Sequence, residues 1–341
     1  MVVAVISNLY SLYLLPARLF DWPLAFLDFS VSTGGERTGG EKLGQIVLSF
    51  EGFFRTTSFF SEPSALANFN NINILFYLAH SLVLGRSPFK TKFFTYLFLI
   101  TWIPSQLFTF SLTAVLLLVG TAISYIFIKG SAFLGRLLKI VFYFALFAVI
   151  ADVIQATITG ISVIELFYTR IAGILDIAGS AGIVGESAFD RFYSYEQSWL
   201  IWYNYPFFGT GLGLTYLNGL YDVTFLHNSI SAVLAETGLW GLISYLALQL
   251  IVPSVMIYNS RKIIRTGFHL NYRTLSVLYM FFATVSLCLA LLNMFSLNAV
   301  ISEWYWFIMS FTVIVHLSYL RAKIKLPLHS GNRVSLHSAA S

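Results

Sequence analysis

Apolar runs alternate with polar connections along most of the chain, and eight of them can be drawn as helices. A helix needs roughly 20 apolar residues to cross the hydrocarbon core of a bilayer, and most of the runs approach that length. They lie at residues 1–20, 62–84, 93–106, 108–128, 137–159, 229–258, 274–294 and 301–320. The third and fourth runs are predicted to form a tight pair that turns at residues 104–106. The pattern therefore predicts an all-α bundle of about eight transmembrane helices.

Composition points to the same class of protein. Of the 341 residues, 57% are hydrophobic and only 10% are charged, whereas a soluble globular domain carries about 25% charged residues. This excludes a soluble enzyme. The single cysteine, Cys288, allows no intrachain disulfide and no cysteine-based metal site. It is expected to be a small buried residue within a helix.

The basic residues orient the predicted bundle. Fourteen of the 20 Lys and Arg residues fall in four connections without Asp or Glu, at residues 86–92, 129–139, 261–273 and 321–333. An eight-helix arrangement places all four connections on one side, which the positive-inside rule assigns to the cytoplasm. Both termini are then cytoplasmic, and two long segments, residues 21–61 and 160–228, face outward. The sequence therefore predicts a multi-pass protein of the cytoplasmic membrane.

The domain organisation is simple. The first apolar run lacks the basic start and the small-residue cleavage site of a secretory signal, so a retained span or a half-embedded helix is expected. Residues 1–328 are predicted to form one integral membrane domain. Residues 329–341 are small and polar and are predicted to form a disordered cytoplasmic tail.

The outer segments hold most of the residues that suit chemistry. Gly209, Gly211 and Gly213 in the string YPFFGTGLG allow a close approach of another backbone, although an ordinary turn at the membrane surface uses glycines in the same way. Of six histidines, His227 alone is predicted on the outer face, where a neutral imidazole can act as a general base. A place beside a helix cap formed by Asn228 or Ser229 explains the position of His227 by structure alone.

Basic residues on the outer side are the second set of candidates. They are Arg18, Arg37, Lys42, Arg55, Arg170 and Arg191. A lone arginine at this depth usually extends to lipid headgroups. Several arginines that converge would instead match the oxygens of a phosphate group. The residues alone leave both interpretations open.

The string SEPS predicts the start of the second helix. Pro63 suits a first helical turn, and an acid such as Glu62 is favoured at the positive end of a helix. Four asparagines follow within this otherwise apolar helix, at positions 68, 70, 71 and 73. Amide side chains at this depth need partners inside the protein or in a hydrated cavity.

Two separated blocks resemble motifs of one protein family. FFRTTSFFSEPSALA, residues 53–67, is similar to the element of an arginine, an aromatic residue and EPS in Wzy-type O-antigen polymerases. RFYSYEQSWLIWYNYPFFGTGLG and FLHNSISAVLAETGLWG resemble the R…P…G.G…HN…E.G..G element that these polymerases share with O-antigen ligases. The resemblance covers about residues 45–320, and the two blocks occur in the order of the family.

The resemblance implies a function and a set of roles. Family members have a GT-C-like fold and transfer glycans from undecaprenyl diphosphate on the outer face of the bacterial cytoplasmic membrane, without a cofactor or a metal. By position, Arg55 and Arg191 match arginines that contact the diphosphate, and His227 matches the histidine that activates the acceptor hydroxyl. Further candidates for substrate binding are Arg170, Glu62, Glu236, Gly209, Gly211, Gly213 and Asn228.

The chain also departs from the family in two respects. It has about eight predicted spans where relatives usually have ten or more. It has Ser111-Leu112 where relatives often have a serine-arginine pair, so one expected basic contact is missing from that position.

The leading hypothesis is a repeat-unit polymerase, and three alternatives remain. An O-antigen ligase shares the same motifs, a lipid-linked oligosaccharide flippase is a transporter of the same lipid, and a structural membrane subunit is the fourth interpretation. The expected partners are the lipid-linked donor and acceptor, membrane lipid, a chain-length regulator and a flippase, without nucleic acid. No DxD-like acid pair stands out in the outer segments, which argues against a metal-assisted reaction.

Overall fold

The computed structural model describes residues 1–25, 49–50, 53–60, 63–109, 111–130, 186–212, 229–295 and 303–325, with scattered positions between 135 and 168. The fifth predicted run, residues 137–159, is described only at some of those positions. The predicted disordered tail, residues 329–341, lies outside the described residues.

The described part of the chain is helical apart from one small hairpin. Its helices are α1 (Val2–Leu19), α2 (Pro63–Leu84), α3 (Lys92–Leu107), α4 (Leu112–Lys129), α5 (Glu186–Asn204), α6 (Ser229–Arg265), α7 (Phe268–Asn271), α8 (Arg273–Phe295) and α9 (Glu303–Lys325). The strands β1 (Ser49–Phe50) and β2 (Phe53–Phe54) pair antiparallel before α2. The predicted all-α class is therefore confirmed for this part of the chain.

Three of the described helices are long and apolar enough to cross a membrane. These segments are Ser229–Arg265, Arg273–Met294 and Tyr305–Ile324. α1 and α4 are apolar but shorter. The eight-span arrangement and the GT-C-like fold remain predictions.

The boundary between α3 and α4 differs from the predicted one. α2 begins at Pro63, as expected, but α3 continues through Pro104 to Leu107. Proline lacks an amide donor but keeps its carbonyl acceptor, and the Phe108 amide donates to the Pro104 carbonyl at 2.9 Å. The prediction of a turn at residues 104–106 was wrong because this bond completes another helical turn.

Two asparagines of α2 have side-chain partners on neighbouring helices, as the sequence predicts, although the buried Asn70 Oδ1 atom has no hydrogen-bond partner in the described part of the chain. Asn70 and Asn71 are buried. The Asn70 amide donates to the Ser105 hydroxyl of α3 at 3.0 Å, and the Thr121 hydroxyl of α4 donates to the Asn71 carbonyl oxygen at 3.2 Å. These contacts link α2 to α3 and to α4, although the Thr121 hydroxyl also donates to the Leu117 carbonyl of its own helix at 2.7 Å.

Close packing joins the first helices to the last ones. Cys288 of α8 is buried, as expected, and lies against Gly120 of α4. A Cβ atom at Gly120 would lie 3.1 Å from the Cys288 sulfur, so the small residue lets the two helices approach. An apolar cluster of α2, α4, α6, α8 and α9 includes Ala79, Ile128, Met256, Tyr279 and Tyr319.

Helix ends that the charge pattern assigns to the same side lie together. Arg18 at the end of α1 contacts the Arg55 backbone, and Arg55 contacts Thr109 after α3, all on the predicted outer side. At the opposite ends of their helices, Ile128 and Ile263 share one cluster beside the basic connections. The packing is consistent with the predicted alternation of the helices.

This topology leads to a first prediction. A periplasmic reporter fused after Gly182 should be active, because residues 160–228 are predicted to face outward. A cytoplasmic reporter should be active after Gly267, because the basic connection at residues 261–273 is predicted to lie in the cytoplasm. A fusion after Gly85 serves as a matched control and should behave like the Gly267 fusion. Activity of one and the same reporter at both Gly182 and Gly267 would contradict the arrangement.

Candidate functional site

A polar segment is buried directly after β2. Arg55 is 5% exposed, and the three residues after it are fully buried. The Arg55 Nε atom donates to the Thr109 carbonyl at 2.8 Å, and the Thr56 amide donates to the Phe108 carbonyl at 3.0 Å. The turn after α3 thus provides backbone acceptors for the segment that carries the first motif.

The same segment is also bound to α1. The Thr56 hydroxyl donates to the Ser11 carbonyl at 2.9 Å, and the Ser58 hydroxyl donates to the Ser7 carbonyl at 2.7 Å. Ser7 and Ser11 lie one helical turn apart on one face of α1. A row of small hydroxyl residues therefore binds this non-helical segment along α1.

Arg18 completes the enclosure of this segment. It is 3% exposed, so it does not extend to lipid headgroups. Its Nε atom donates to the Ala25 carbonyl at 3.0 Å, and one terminal nitrogen donates to the Thr57 hydroxyl at 2.8 Å. The other terminal nitrogen donates to the Arg55 carbonyl. Arg18 therefore positions the backbone of Arg55, because its guanidinium pairs with three separate acceptors.

The second motif centres on a break in α6. Gly238 has φ 66° and ψ −159°, which is not a helical conformation. The break leaves carbonyls without partners in the helix, and the glycine turn after α5 provides donors for two of them. The Thr210 amide donates to the Ala235 carbonyl at 3.0 Å, and the Gly211 amide donates to the Glu236 carbonyl at 2.8 Å.

A third backbone bond runs in the opposite direction. The Leu239 amide, just after the break, donates to the Pro206 carbonyl at 2.9 Å. The Trp202 indole donates to the same carbonyl at 2.9 Å. The strings PFFGTG and AETGLWG, which lie apart in sequence, thus form one hydrogen-bonded unit, which we call the glycine junction (residues 205–211 and 235–241).

Glycine is required at the contact between the two backbones. A Cβ atom at Gly209 would lie 2.3 Å from the Glu236 carbonyl carbon, and one at Gly238 would lie 2.5 Å from the Phe207 carbonyl carbon. A Cβ atom at Gly241 would lie 1.7 Å from the Thr237 hydroxyl. Gly209 and Gly238 therefore permit a close approach of two backbones. This favours the first of the two interpretations that the sequence allowed, rather than an ordinary turn at the membrane surface.

α5 was not predicted from the sequence, although it carries Arg191. Its acidic and basic residues keep its mean hydropathy low, so a search for apolar runs passes over it. Its contacts are specific: Ile201 packs with Ala232 and Ala235 of α6, and the Tyr195 hydroxyl donates to the Met294 carbonyl of α8 at 2.8 Å. The helical spacing of Tyr193 and Ile201, eight residues apart, is the signal that could have found it.

The predicted site residues fall into three groups. Gly209, Gly211 and the buried Glu236 meet in the glycine junction. Arg191 lies on α5, which contacts α6, and Arg55 lies in the buried segment between α1 and the turn after α3. Residues outside the described part of the chain are Arg170, Glu62, Gly213, His227 and Asn228.

Comparison with known proteins gives no family assignment: no family model matches the chain, and no curated protein matches it significantly. Fold and site together define a helical protein whose described residues include three helices able to span a membrane and a broken helix at the glycine junction. A more specific function has to be argued from that site.

The glycine junction leads to a second prediction. Gly209→Ala and Gly238→Ala should each cost well over 2 kcal/mol in the free energy of unfolding, because a Cβ atom meets backbone there and a positive φ alone costs about 1–2 kcal/mol. Gly85 is the matched control, since it has φ 68° but open space around it. Denaturant unfolding of the purified variants measures the difference. Equal losses for all three variants would show that the close contact contributes nothing.

Arg18 leads to a third prediction. Arg18→Leu leaves several buried acceptors unpaired, at about 1–3 kcal/mol for each group, so the unfolding free energy should fall by more than about 2 kcal/mol. Arg261→Leu changes an exposed arginine and should have an effect within about 0.5 kcal/mol. An effect of Arg18→Leu as small as that of the control would contradict the assigned role.

Proposed function

We propose that this protein is a membrane glycosyltransferase that joins lipid-linked oligosaccharide repeat units into a polysaccharide. The donor is a glycan on undecaprenyl diphosphate, and the acceptor is a second lipid-linked repeat unit. The site faces outward from the cytoplasmic membrane. The proposal rests on the two motif blocks and on the geometry of the glycine junction.

The glycine junction is the observation that most supports this function. α5 carries Arg191 and leads into the turn at residues 205–211, while α6 begins two residues after His227. The junction and the Ile201–Ala235 contact bind these two helices to each other. Catalysis requires that reacting groups be supported by rigid elements. The junction gives such support to the helix that carries Arg191 and to the helix that follows His227 in sequence.

The depth of the break in α6 also suits a lipid diphosphate. The 23 helical steps from Gly238 to Arg261 span about 35 Å at 1.5 Å per residue, close to the roughly 30 Å of the hydrocarbon core. If Arg261 lies at the cytoplasmic surface, as the charges predict, then Gly238 lies at the outer boundary. The diphosphate of a carrier lipid lies at the same depth.

The half-helix before the break supports anion binding. Residues 229–237 are almost entirely buried, and His227 and Asn228 directly precede them. A helix N-terminus carries a partial positive charge, and broken membrane helices direct such ends towards anionic substrate groups. The positive end of this half-helix and the arginines would together stabilise the negative charge of a departing diphosphate.

The proposed reaction is a direct transfer. The acceptor hydroxyl attacks the anomeric carbon of the donor, the new glycosidic C–O bond forms, and the bond to the diphosphate breaks with its electron pair moving to the diphosphate. Arg191 and Arg55 stabilise that developing charge, and His227 takes the hydroxyl proton. Arg18 contributes indirectly, because it fixes the backbone of Arg55.

Deletion of the gene followed by gel analysis of the glycan tests this function. A surface product that carries a single repeat unit would support the polymerase. Accumulated lipid-linked polymer without surface attachment would instead identify a ligase. Lipid-linked repeat units retained on the cytoplasmic side would identify a flippase.

The assigned roles lead to a fourth prediction. Arg191→Lys should slow transfer by at least about tenfold, because lysine keeps the charge but loses the planar fork. His227→Ala should abolish transfer while donor binding stays nearly normal, because it removes a group used only in the chemical step. Turnover and donor affinity of the purified variants are the measurements.

Two substitutions serve as controls, one in a basic connection and one in the C-terminal tail. Arg261→Lys and His337→Ala change the same residue types away from the proposed site and should leave turnover unchanged. Membrane levels of all four variants are compared first. Wild-type turnover in both site variants would show that the roles are assigned to the wrong residues.

A further inference from the structure

A cavity of about 730 Å³ lies between the end of α2, the loop that follows it and the first turns of α3. His80 of α2, Arg86 and Lys90 of the loop, and Lys92 and Tyr96 of α3 are part of its lining. None of its lining residues belongs to the glycine junction, and it lies at the C-terminal end of α2, whereas Arg55 precedes the N-terminal end of that helix. The proposed reaction uses none of these residues.

The charge of this cavity is of one sign. Arg86, Lys90 and Lys92 all line it, and the sequence contains no acidic residue between positions 62 and 152. Guanidinium and ammonium groups match phosphate oxygens well. The cavity also adjoins the N-terminus of α3, where helix amides favour an anion. Its chemistry therefore suits a phosphate group.

The loop is held by hydrogen bonds to both helices. The Nδ1 atom of His80 lies 2.9 Å from the Arg86 carbonyl oxygen, and the Ser87 and Thr95 hydroxyls are 2.8 Å apart. The Phe89 amide donates to the Ser87 hydroxyl at 3.2 Å. These bonds hold the loop against both helices, so binding requires little loss of conformational freedom.

An apolar stripe runs away from the cations along α3. Phe93, Tyr96 and Ile100 are 68%, 61% and 68% exposed, and their spacing of three and four residues places them on one face of the helix. A soluble phosphate ester would not use such a stripe, but the acyl chains of a phospholipid would. The combination favours a lipid over a free anion.

We infer that this cavity binds the headgroup phosphate of an anionic phospholipid, with the acyl chains along the exposed face of α3. In the predicted topology the lipid belongs to the cytoplasmic leaflet, where basic pockets between helices bind such headgroups. The site is separate from the proposed binding of undecaprenyl diphosphate on the outer face.

Native mass spectrometry of the purified full chain tests this inference, with phosphatidylglycerol as probe and phosphatidylcholine as reference. The combined variant Arg86→Gln, Lys90→Gln and Lys92→Gln should retain phosphatidylglycerol at least about tenfold less well, since each cation near a headgroup contributes about a fivefold factor. The matched control is Lys262→Gln, Arg265→Gln and Arg321→Gln, which removes three exposed cations that do not line the cavity and should lose clearly less phosphatidylglycerol than the first variant. Equal losses in both variants would overturn the inference in favour of general surface charge.

A second arm distinguishes lipid from soluble phosphate. Millimolar inorganic phosphate should not displace phosphatidylglycerol, and Ile100→Ser should weaken lipid retention severalfold. Displacement by phosphate, with no effect of Ile100→Ser, would identify a soluble anion and overturn the lipid assignment. If the triple variant unfolds, the exposed single substitution Lys90→Gln replaces it, with a severalfold loss expected and no loss overturning the inference.

Discussion

Non-helical backbone that is buried among apolar helices must find its hydrogen-bond partners within the protein. Each unpaired group in such surroundings costs several kcal/mol, so irregular segments persist only where other segments complete them. The described part of the chain includes two such places. At one, Arg18, Ser7 and Ser11 complete the segment after β2, and at the other, the turn after α5 completes the break at Gly238.

The two places have different consequences. In the segment after β2, Arg18 donates to the Arg55 carbonyl and the Thr57 hydroxyl, while backbone carbonyls of α1 and of the turn after α3 accept from the segment. Substitution of Arg18 therefore removes donors from buried acceptors. In the glycine junction, backbone pairs with backbone, and the decisive property is the missing Cβ atom at Gly209 and Gly238. That difference explains why the first motif is rich in hydroxyl residues and arginine, while the second is rich in glycine.

The sequence predicted much of the helical framework, but it revealed little of which groups form hydrogen bonds with the non-helical segments. Apolar runs located α2, α8 and α9 to within a few residues, because burial and length determine such helices. The asparagines of α2 were expected to have internal partners, but Ser105 and Thr121 as those partners depend on how helices pack. The turn after α3 was misplaced because Pro104 still accepts a hydrogen bond, and α5 was missed because its charges hide its helical spacing.

The proximity of residues in the second motif followed from the sequence, whereas their roles in binding and catalysis stay predictions. The motif strings indicated that Gly209, Gly211 and Glu236 belong to one element, and the structure brings these three together. These residues meet because the break in α6 needs hydrogen-bond donors from outside the helix. The motif strings do not reveal that break. Local spacing does not reveal a positive φ at Gly238 or the approach of a second backbone.

The central claim is that the site built on the glycine junction joins lipid-linked glycans. The most direct measurement uses purified protein in lipid nanodiscs with the lipid-linked repeat unit extracted from cells that lack the gene. Our account predicts a ladder of lipid-linked products that differ by one repeat unit and the release of undecaprenyl diphosphate. Repeat units that remain unextended would contradict it, provided that the protein is correctly folded and that the lipid-linked donor and acceptor lie in the same membrane.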